Sequence, residues 1–343
     1  MNRETVLAMP KVDLHCHLDG SLRLESIPEM AEAAGVKLPT ENPEELSRIL
    51  LLGRNTNSLE EYLKAFDLTL LVLQTEENLE RAAYELAEDC HQENAWVLEV
   101  RFSPLLHLEN GLKPAEVVDA VLAGLRRAER DFGIHCGVII CGMRQMPATT
   151  SIRMAELCIA YKNRGVVAFD LAGPERSYPP KHHVEAFYLI LNNNINCTIH
   201  AGEGYGPESI SQALHYCGAH RIGHGTRLRE NGDLLNYVND HRIPLEMCLT
   251  SNVQTRSVTS IEEHPFGFYF DYNLRVTLNT DNRLMSGCTI TDEYLLAAET
   301  FGLNMYHLQS IVIQGFKSSF LPHRTKRRLL KKVLAQFKLD YIP

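Results

Sequence analysis

Short apolar, β-branched runs alternate with amphipathic segments along the 343-residue chain, and this alternation constrains the fold more than any other feature. Eight runs have the length and composition of β-strands. They cover residues 12–17, 97–102, 136–141, 166–171, 195–200, 221–224, 244–248 and 275–279. Segments with helical periodicity, such as 75–92, 115–132 and 208–217, lie between them. Eight strands with intervening helices predict an α/β fold, a (β/α)8 TIM-type barrel, with a doubly wound open sheet as the alternative.

The domain organisation follows from what interrupts this alternation. No stretch rich in proline, glycine or serine divides the sequence, so we expect one domain over 1–343. The first connection, 18–95, is long and mostly helical in pattern. It contains a Ser-x-x-Glu capping box at Ser58 and Glu61. Apolar residues then recur at helical spacing, a pattern that usually faces a core, and we predict that this insertion also acts as a lid lined by Leu59, Tyr62, Leu63 and Phe66.

Composition narrows the class of protein. The formal net charge is −9 and the isoelectric point about 5.9, which argues against nucleic acid as a partner. No apolar run is long enough to span a membrane or to form a signal peptide. The nine cysteines are scattered without a Cys-x-x-Cys pair, as is typical of reduced thiols. We expect a cytoplasmic enzyme acting on a small molecule, without a membrane partner, and a homo-oligomer stays an open alternative.

A metal site is indicated at the predicted strand ends. His15 and His17 close the first run, and alternate side chains of a strand point to the same face. His200 ends the fifth run and Asp281 follows the eighth. Closing a barrel brings its first and eighth strands together, so these side chains can converge on one ion. Three imidazoles and one carboxylate predict a single Zn²⁺ with an open position for water.

Two further residues predict hydrolytic chemistry at that ion. His224 follows the sixth run and is placed to orient or deprotonate the water. Glu203 lies three residues after His200, where a carboxylic acid can donate a proton to the substrate. Any one of these residues, taken alone, is more often structural than catalytic or metal-binding. Their joint position at strand ends of one barrel is what favours a mononuclear metal hydrolase.

Six motifs occur in order along nearly the whole chain. They read KVDLHCHLDGSL (11–22), VRFSP (100–104), DLAG (170–173), HAGE (200–203), HG (224–225) and LNTD (278–281). Together they resemble the adenosine deaminase family. The resemblance implies a zinc-dependent (β/α)8 hydrolase that converts adenosine or 2′-deoxyadenosine and water to inosine or 2′-deoxyinosine and ammonia, in purine salvage.

The resemblance also implies a role for each site residue. The zinc ligands would be His15, His17, His200 and Asp281. Glu203 would protonate N1 of the purine, while His224 and Asp281 would position the attacking hydroxide. Substrate contacts would come from His17, from Asp19 to a ribose hydroxyl, from the Gly173 N–H to N3 and from the lid side chains Leu59, Tyr62, Leu63 and Phe66.

The chain departs from the family pattern after the metal aspartate. The family commonly has Asp-Pro there, whereas this sequence has Asn282 and Arg283. An Asn amide is a donor at any ordinary pH, so recognition of purine N7 can persist. Related adenine deaminases tend to carry Glu where Asp19 stands, so Asp19 favours a nucleoside. Adenine or another 6-aminopurine nucleoside is the alternative substrate, and a non-catalytic nucleoside-binding or interaction protein ranks lower because Glu203 and the ligand histidines are present.

Overall fold

Eight parallel strands pair in chain order to form one sheet. The structure, a computed structural model, describes residues 1–40, 42–50, 62–63 and 66–339. The strands are β1 Lys11–His17, β2 Ala95–Phe102, β3 His135–Met143, β4 Val166–Ala172, β5 Asn196–Ala201, β6 Arg221–His224, β7 Leu245–Met247 and β8 Val276–Leu278. This order confirms the predicted (β/α)8 barrel.

The first and last strands meet just beyond the end of β8. Cys16 and Asp281 form an isolated parallel bridge. The His17 N–H donates to the Asp281 carbonyl at 2.7 Å, and the Asp281 N–H donates to the His15 carbonyl at 2.8 Å. These bonds bring the strand that carries the His-x-His pair beside the segment that carries Asp281, so the alternative of an open sheet is wrong.

Helices surround the strands over the described part of the chain. They are α1 Arg3–Leu7, α2 Ile27–Ala34, α3 Pro43–Leu50, α4 Phe66–Val72, α5 Glu76–Gln92, α6 Pro114–Phe132, α7 Ala148–Ala160, α8 Val184–Asn192, α9 Pro207–His215, α10 Gly232–Asp240, α11 Leu249–Gln254, α12 Phe266–Asp271, α13 Arg283–Ser286, α14 Ile290–Phe301, α15 Met305–Ser318 and α16 His323–Gln336. Within these described ranges, no helix is both long and apolar enough to cross a bilayer.

Local sequence signals account for the ends of several of these helices. The Thr75 hydroxyl accepts a hydrogen bond from the Asn78 N–H at the start of α5. Helix α6 begins at Pro114 and ends at Gly133, which adopts φ of 73°. Between the helices and the sheet, buried aliphatic and aromatic side chains form one continuous core.

The connection between β1 and β2 holds α2, α3, α4 and α5. Helix α5 packs against α6 and β2, and so belongs to the outer ring of the barrel. At the open end of the barrel lie Tyr62, Leu63 and Phe66, which precede α5 in the chain. Leu59, predicted on the same helical stripe, lies outside the described residues.

Candidate active site

A cavity opens at the carboxyl ends of the strands, where active sites of this fold form. Most of the predicted site residues line it, namely His17, Asp19, Tyr62, Leu63, Phe66, Gly173, His200, Glu203, His224, Asp281 and Asn282. His15 is fully buried, and its ring packs against those of His200 and His224 at centroid distances of 4.6 and 4.7 Å. The structure therefore brings together every predicted site residue except the undescribed Leu59.

The predicted metal ligands are spaced as ligands of one ion would be. His17 Nε2 lies 3.1 Å from His200 Nε2, and Asp281 Oδ1 lies 3.5 Å from His15 Nε2 and 3.4 Å from His17 Nε2. Tetrahedral zinc with bonds of about 2.0–2.1 Å separates its ligand atoms by about 3.3 Å. Among the described residues, His15 Nε2 is buried without a hydrogen-bond partner. The donor set and its spacing fit a zinc-sized cation.

The protonation of His15, His17 and Asp281 suits the same role. Burial lowers the pKa of His15 to about 4. It also lowers the pKa of His17 well below the ordinary value, so both imidazoles are neutral ligands. Burial opposes ionisation of Asp281, but the electrostatic effect of the neighbouring His15, His224 and His17 rings holds its pKa well below the usual range. His224 lies close enough to count in the same cluster, with ligand atoms within 4.8 Å of those of His15, His200 and Asp281.

Two buried carboxylates hydrogen-bond His15 and His200, two of the predicted metal ligands, on the side away from the cavity. Glu246 accepts a hydrogen bond from His15 Nδ1 at 2.7 Å, and Asp170 lies 3.0 Å from His200 Nδ1. Arg101 joins these carboxylates, donating to Asp170 at 3.0 Å and to Glu246 at 2.8 Å. All three side chains are fully buried. Such partners fix the tautomer and the ring orientation of a ligating histidine.

A chain of hydrogen bonds fixes the tautomer of His224. The Phe266 backbone N–H donates to His264 Nδ1 at 3.1 Å, which leaves His264 Nε2 to donate to Asn252 Oδ1 at 3.2 Å. Burial lowers the pKa of His264 to about 3, so this ring is neutral. The Asn252 amide then donates to His224 Nδ1 at 3.0 Å. Since Nδ1 accepts, the neutral His224 carries its proton on Nε2.

Glu203 faces that proton across the cavity. Its Oε2 lies 3.5 Å from His224 Nε2, and the residue is 7% exposed. Burial raises the pKa of Glu203, and the carboxylates of Asp281 and Glu175 add to this rise. A carboxyl group with a raised pKa keeps its proton to a higher pH than an exposed one does.

Two of the site residues adopt left-handed backbone conformations. The φ angle is 62° at His224, the last residue of β6, and 60° at Asp281, which follows β8. Residues other than glycine rarely adopt a positive φ. Backbone strain from such conformations is concentrated at functional sites. The Ser251 hydroxyl additionally donates to Asp281 Oδ2 at 2.6 Å. The side chains of His224 and Asp281 both line the cavity.

The remaining polar groups of the cavity are poised for a ligand. Asp19 Oδ1 and Asn282 Oδ1 are buried without hydrogen-bond partners among the described residues. Burial raises the pKa of Asp19 to about 7. Gly173 has φ of 104°, a conformation that favours glycine. Because glycine has no side chain, a ligand can approach its backbone closely at the cavity wall. The Tyr62 hydroxyl hydrogen-bonds the hydroxyl of Ser286, the last residue of α13, at 3.0 Å.

Comparison with known proteins identifies the family. The adenosine deaminase family model matches residues 10–336. The chain belongs to this family. An adenosine deaminase of Clostridium acetobutylicum is 41% identical over 331 residues, which cover 96% of this chain and 99% of that protein. A probable adenosine deaminase of Dictyostelium discoideum is 40% identical over 341 residues, covering 98% of this chain but only 44% of the longer protein.

The fold is shared with solved structures of deaminases. The crystal structure of adenine deaminase from Arthrobacter aurescens superposes with a TM-score of 0.90 at 25% sequence identity, over 96% of this chain and all of that one. The predicted adenosine deaminase family and its purine-deaminating hydrolase class are thus confirmed. The family is metal-dependent, and this chain carries a His/Asp cluster suited to a metal.

Several functional neighbours were not predicted from the sequence. Glu246 and Arg101 lie inside strands, where most side chains serve only the core. A charged residue inside an apolar run is nevertheless unusual, and this signal could have identified both. Asn252 and His264 lie between β7 and β8, where no motif marks them. Their roles follow only from contacts between distant strands and loops.

Proposed function

We propose that this chain catalyses the hydrolytic deamination of adenosine and 2′-deoxyadenosine to inosine and 2′-deoxyinosine, with release of ammonia, as a step of purine salvage. The observation that carries the proposal is Glu203, a buried carboxyl group with a raised pKa that shares one cavity with the histidine and aspartate cluster. In the reaction, oxygen from water replaces the amino group at C6 of the purine.

One zinc ion is the proposed cofactor. Its ligands would be His15, His17, His200 and Asp281, whose ligand atoms are separated by 3.1 to 3.5 Å in the measured pairs. When bound, zinc would lower the pKa of a water molecule and so supply hydroxide near neutral pH.

Glu203 is the proposed proton donor to purine N1. Protonating N1 withdraws electrons from C6 and makes this carbon a better electrophile. The proton stays on N1, where the product carries it, and the proton that water gives up in forming hydroxide restores the Glu203 carboxyl group by way of solvent. A carboxyl group that ionised at the ordinary pKa would lack this proton near neutral pH, which is why its burial matters.

His224 and Asp281 are proposed to hold the attacking oxygen. With its proton on Nε2, His224 donates a hydrogen bond to this oxygen and does not serve as a base. Asp281 accepts the proton that the nucleophile releases and returns it to the amino group. The C6–N bond then breaks, and ammonia leaves with that proton.

The purine and its sugar are proposed to be held by groups on several loops. The Gly173 N–H would donate to N3, and the Asn282 amide to N7. Asp19 would bind a ribose hydroxyl beside His17. The described lid side chains Tyr62, Leu63 and Phe66 would cover the sugar, together with Leu59. In this proposal 1–343 is one barrel domain, and within the helical insertion 18–95 the part that precedes α5 is its lid.

Adenine is the second candidate substrate, because the chain shares its fold with an adenine deaminase. Asp19 favours the nucleoside, since it lines the cavity with an oxygen that no described residue binds. All nine cysteines are free, which supports a reducing, cytoplasmic location. The partners would be a small purine substrate and water, with neither nucleic acid nor membrane.

The test is ultraviolet absorbance during incubation of zinc-loaded protein with adenosine, 2′-deoxyadenosine, adenine and AMP in parallel. The proposal predicts spectral conversion of the two nucleosides by the wild type and a loss of about 100-fold or more in Glu203→Gln, which cannot donate the carboxyl proton. Conversion of adenine alone would move the substrate to the free base. No conversion of any of the four would reject the proposal.

A further inference from the structure

Glu175, whose carboxylate also helps to raise the pKa of Glu203, connects two loops of the active site. It lies on the loop after β4, two residues beyond Gly173, and is 2% exposed. Its carboxylate reaches the loop after β5, which carries Glu203. One oxygen accepts a hydrogen bond from the Gly202 N–H at 2.7 Å. The other accepts from the N–H groups of Glu203 at 2.9 Å and Gly204 at 2.6 Å.

The loop after β5 is shaped to receive such a group. Gly202 has φ of 75°, and in this conformation successive backbone N–H groups turn towards one side. Concave sites of this kind bind anions. Here the anion is a side chain of the protein itself. Hydrogen bonds to an ionised carboxylate are roughly twice as strong as those between neutral groups.

The two connected loops carry the groups proposed to face opposite ends of one edge of the purine. Gly173 would meet N3, and Glu203 would meet N1. We propose that Glu175 is a positioning residue that fixes the Glu203 carboxyl relative to Gly173, and so places the proton donor opposite N1. This inference rests on the proposed function. A displacement of about 1 Å in such a group is enough to cost about 100-fold in rate.

Glu175→Gln is the informative substitution, because it retains the shape of the side chain. One carboxylate oxygen becomes an amide nitrogen that cannot accept a hydrogen bond. At least one of the three N–H groups then loses its acceptor and faces another donor. The loop that carries Glu203 is released while the cavity keeps its lining residues.

Glu293 offers a matched control. It is 1% exposed and likewise accepts from backbone N–H groups, those of Leu249 at 2.7 Å and Thr250 at 3.2 Å. These residues begin α11, after β7, and do not belong to the loop of Glu203. Glu293→Gln therefore removes a comparable buried carboxylate without freeing residues 202–204.

The experiment compares turnover of adenosine with binding of 1-deazaadenosine, which has carbon in place of N1 and cannot receive the Glu203 proton. In Glu175→Gln we expect kcat/KM for adenosine to fall about 10- to 100-fold, while the inhibition constant of 1-deazaadenosine stays near the wild-type value. Because α11 also carries Ser251 and Asn252, which hold Asp281 and His224, Glu293→Gln serves as the control for amide exchange and not for turnover. Equal losses for both ligands in Glu175→Gln, or no loss for either, would overturn the inference.

Amide hydrogen exchange provides a readout that does not need turnover. We expect the amides of residues 202–204 to exchange about tenfold faster in Glu175→Gln than in the wild type, and to keep their wild-type rates in Glu293→Gln. Unchanged exchange in Glu175→Gln would overturn the positioning role even if the wild type proves inactive on adenosine. A wild type without adenosine turnover but with the expected exchange pattern would reject the proposed substrate and keep the link between the two loops.

Discussion

Asn252 donates its side-chain amide to Nδ1 of His224 at 3.0 Å, and this bond decides which ring nitrogen of His224 faces the cavity with a proton. The orientation of Asn252 is itself fixed by His264, which receives the Phe266 backbone N–H. Backbone N–H groups are donors without alternative, so the whole chain of bonds has one consistent direction.

Asn252→Asp should reverse the tautomer of His224. A carboxylate at position 252 accepts from both histidines, so the His224 proton moves to Nδ1 and leaves a lone pair towards the site. Losing a donor to a developing oxyanion costs about 100- to 1000-fold in kcat, and we expect a loss of this size. Nitrogen-15 spectra of histidine-labelled protein report the tautomer directly. An unchanged His224 tautomer in the variant would contradict this account.

Arg101→Lys should weaken metal binding while leaving the fold in place. Lysine keeps the charge, but it cannot span two carboxylates as the planar guanidinium does. Both Asp170 and Glu246 then lose a fixed partner, and with them His200 and His15. Loss of such outer partners typically lowers metal affinity by about 10- to 100-fold, measurable by competition with a chromophoric chelator.

Arg221→Lys is the control for that substitution. Arg221 is also buried and pairs with Glu246 and Glu99, but it does not contact the partner of His200. We expect its zinc affinity to stay closer to the wild-type value. The same loss of affinity in both variants would show that general weakening of the barrel interior, not the link through Arg101, is responsible.

Asn282→Asp should make the reaction rate more dependent on pH. An aspartate must be protonated to donate to purine N7, so the rate of the variant falls as pH rises through the pKa of that carboxyl group. The wild-type amide donates on both sides of this range. Profiles of kcat/KM against pH measure the difference, and superimposable profiles would exclude Asn282 as the N7 donor.

His107 should make the protein less stable in mild acid. It is fully buried, its Nδ1 lies 2.9 Å from the Leu73 carbonyl, and burial lowers its pKa to about 4. The unfolded chain, with a pKa near 6.5, binds the proton first as pH falls. The contribution of neutral His107 to the free energy of unfolding is therefore complete above about pH 6.5 and is lost towards pH 4. Between pH 7.5 and pH 5 the loss amounts to about 2 kcal/mol.

Urea unfolding at these two pH values tests the assignment. His107→Asn keeps a donor for the Leu73 carbonyl but has no titrating ring. Between pH 7.5 and pH 5 the variant should lose about 2 kcal/mol less of its free energy of unfolding than the wild type does. Parallel losses in the two proteins would contradict the role of His107.

The sequence predicted those parts of the site that depend on local order. The alternation of side chains along a strand predicted that His15 and His17 share one face. The count of eight strands predicted a closed barrel with Asp281 beside them, and the bridge between Cys16 and Asp281 agrees with this. Strands β7 and β8 are shorter than the predicted runs 244–248 and 275–279. Cys248 instead precedes α11, and the Asn279 side chain accepts a hydrogen bond from the Leu14 N–H.

The rest of the site depends on contacts that no local pattern specifies. Arg101 meets Asp170 and Glu246 across separations of 69 and 145 residues. His224 adopts a left-handed backbone at the end of β6, a conformation that is uncommon for residues other than glycine. Glu175 acts on a loop 27 to 29 residues further along the chain. Such relationships require the folded barrel.

The most direct test of the account is a zinc titration of chelator-stripped protein, with adenosine turnover and bound zinc measured on the same samples. We predict that turnover is absent without metal, rises in proportion to bound zinc and saturates at one ion per chain. Full turnover by stripped protein, or zinc bound at one per chain without adenosine turnover, would contradict the central claim.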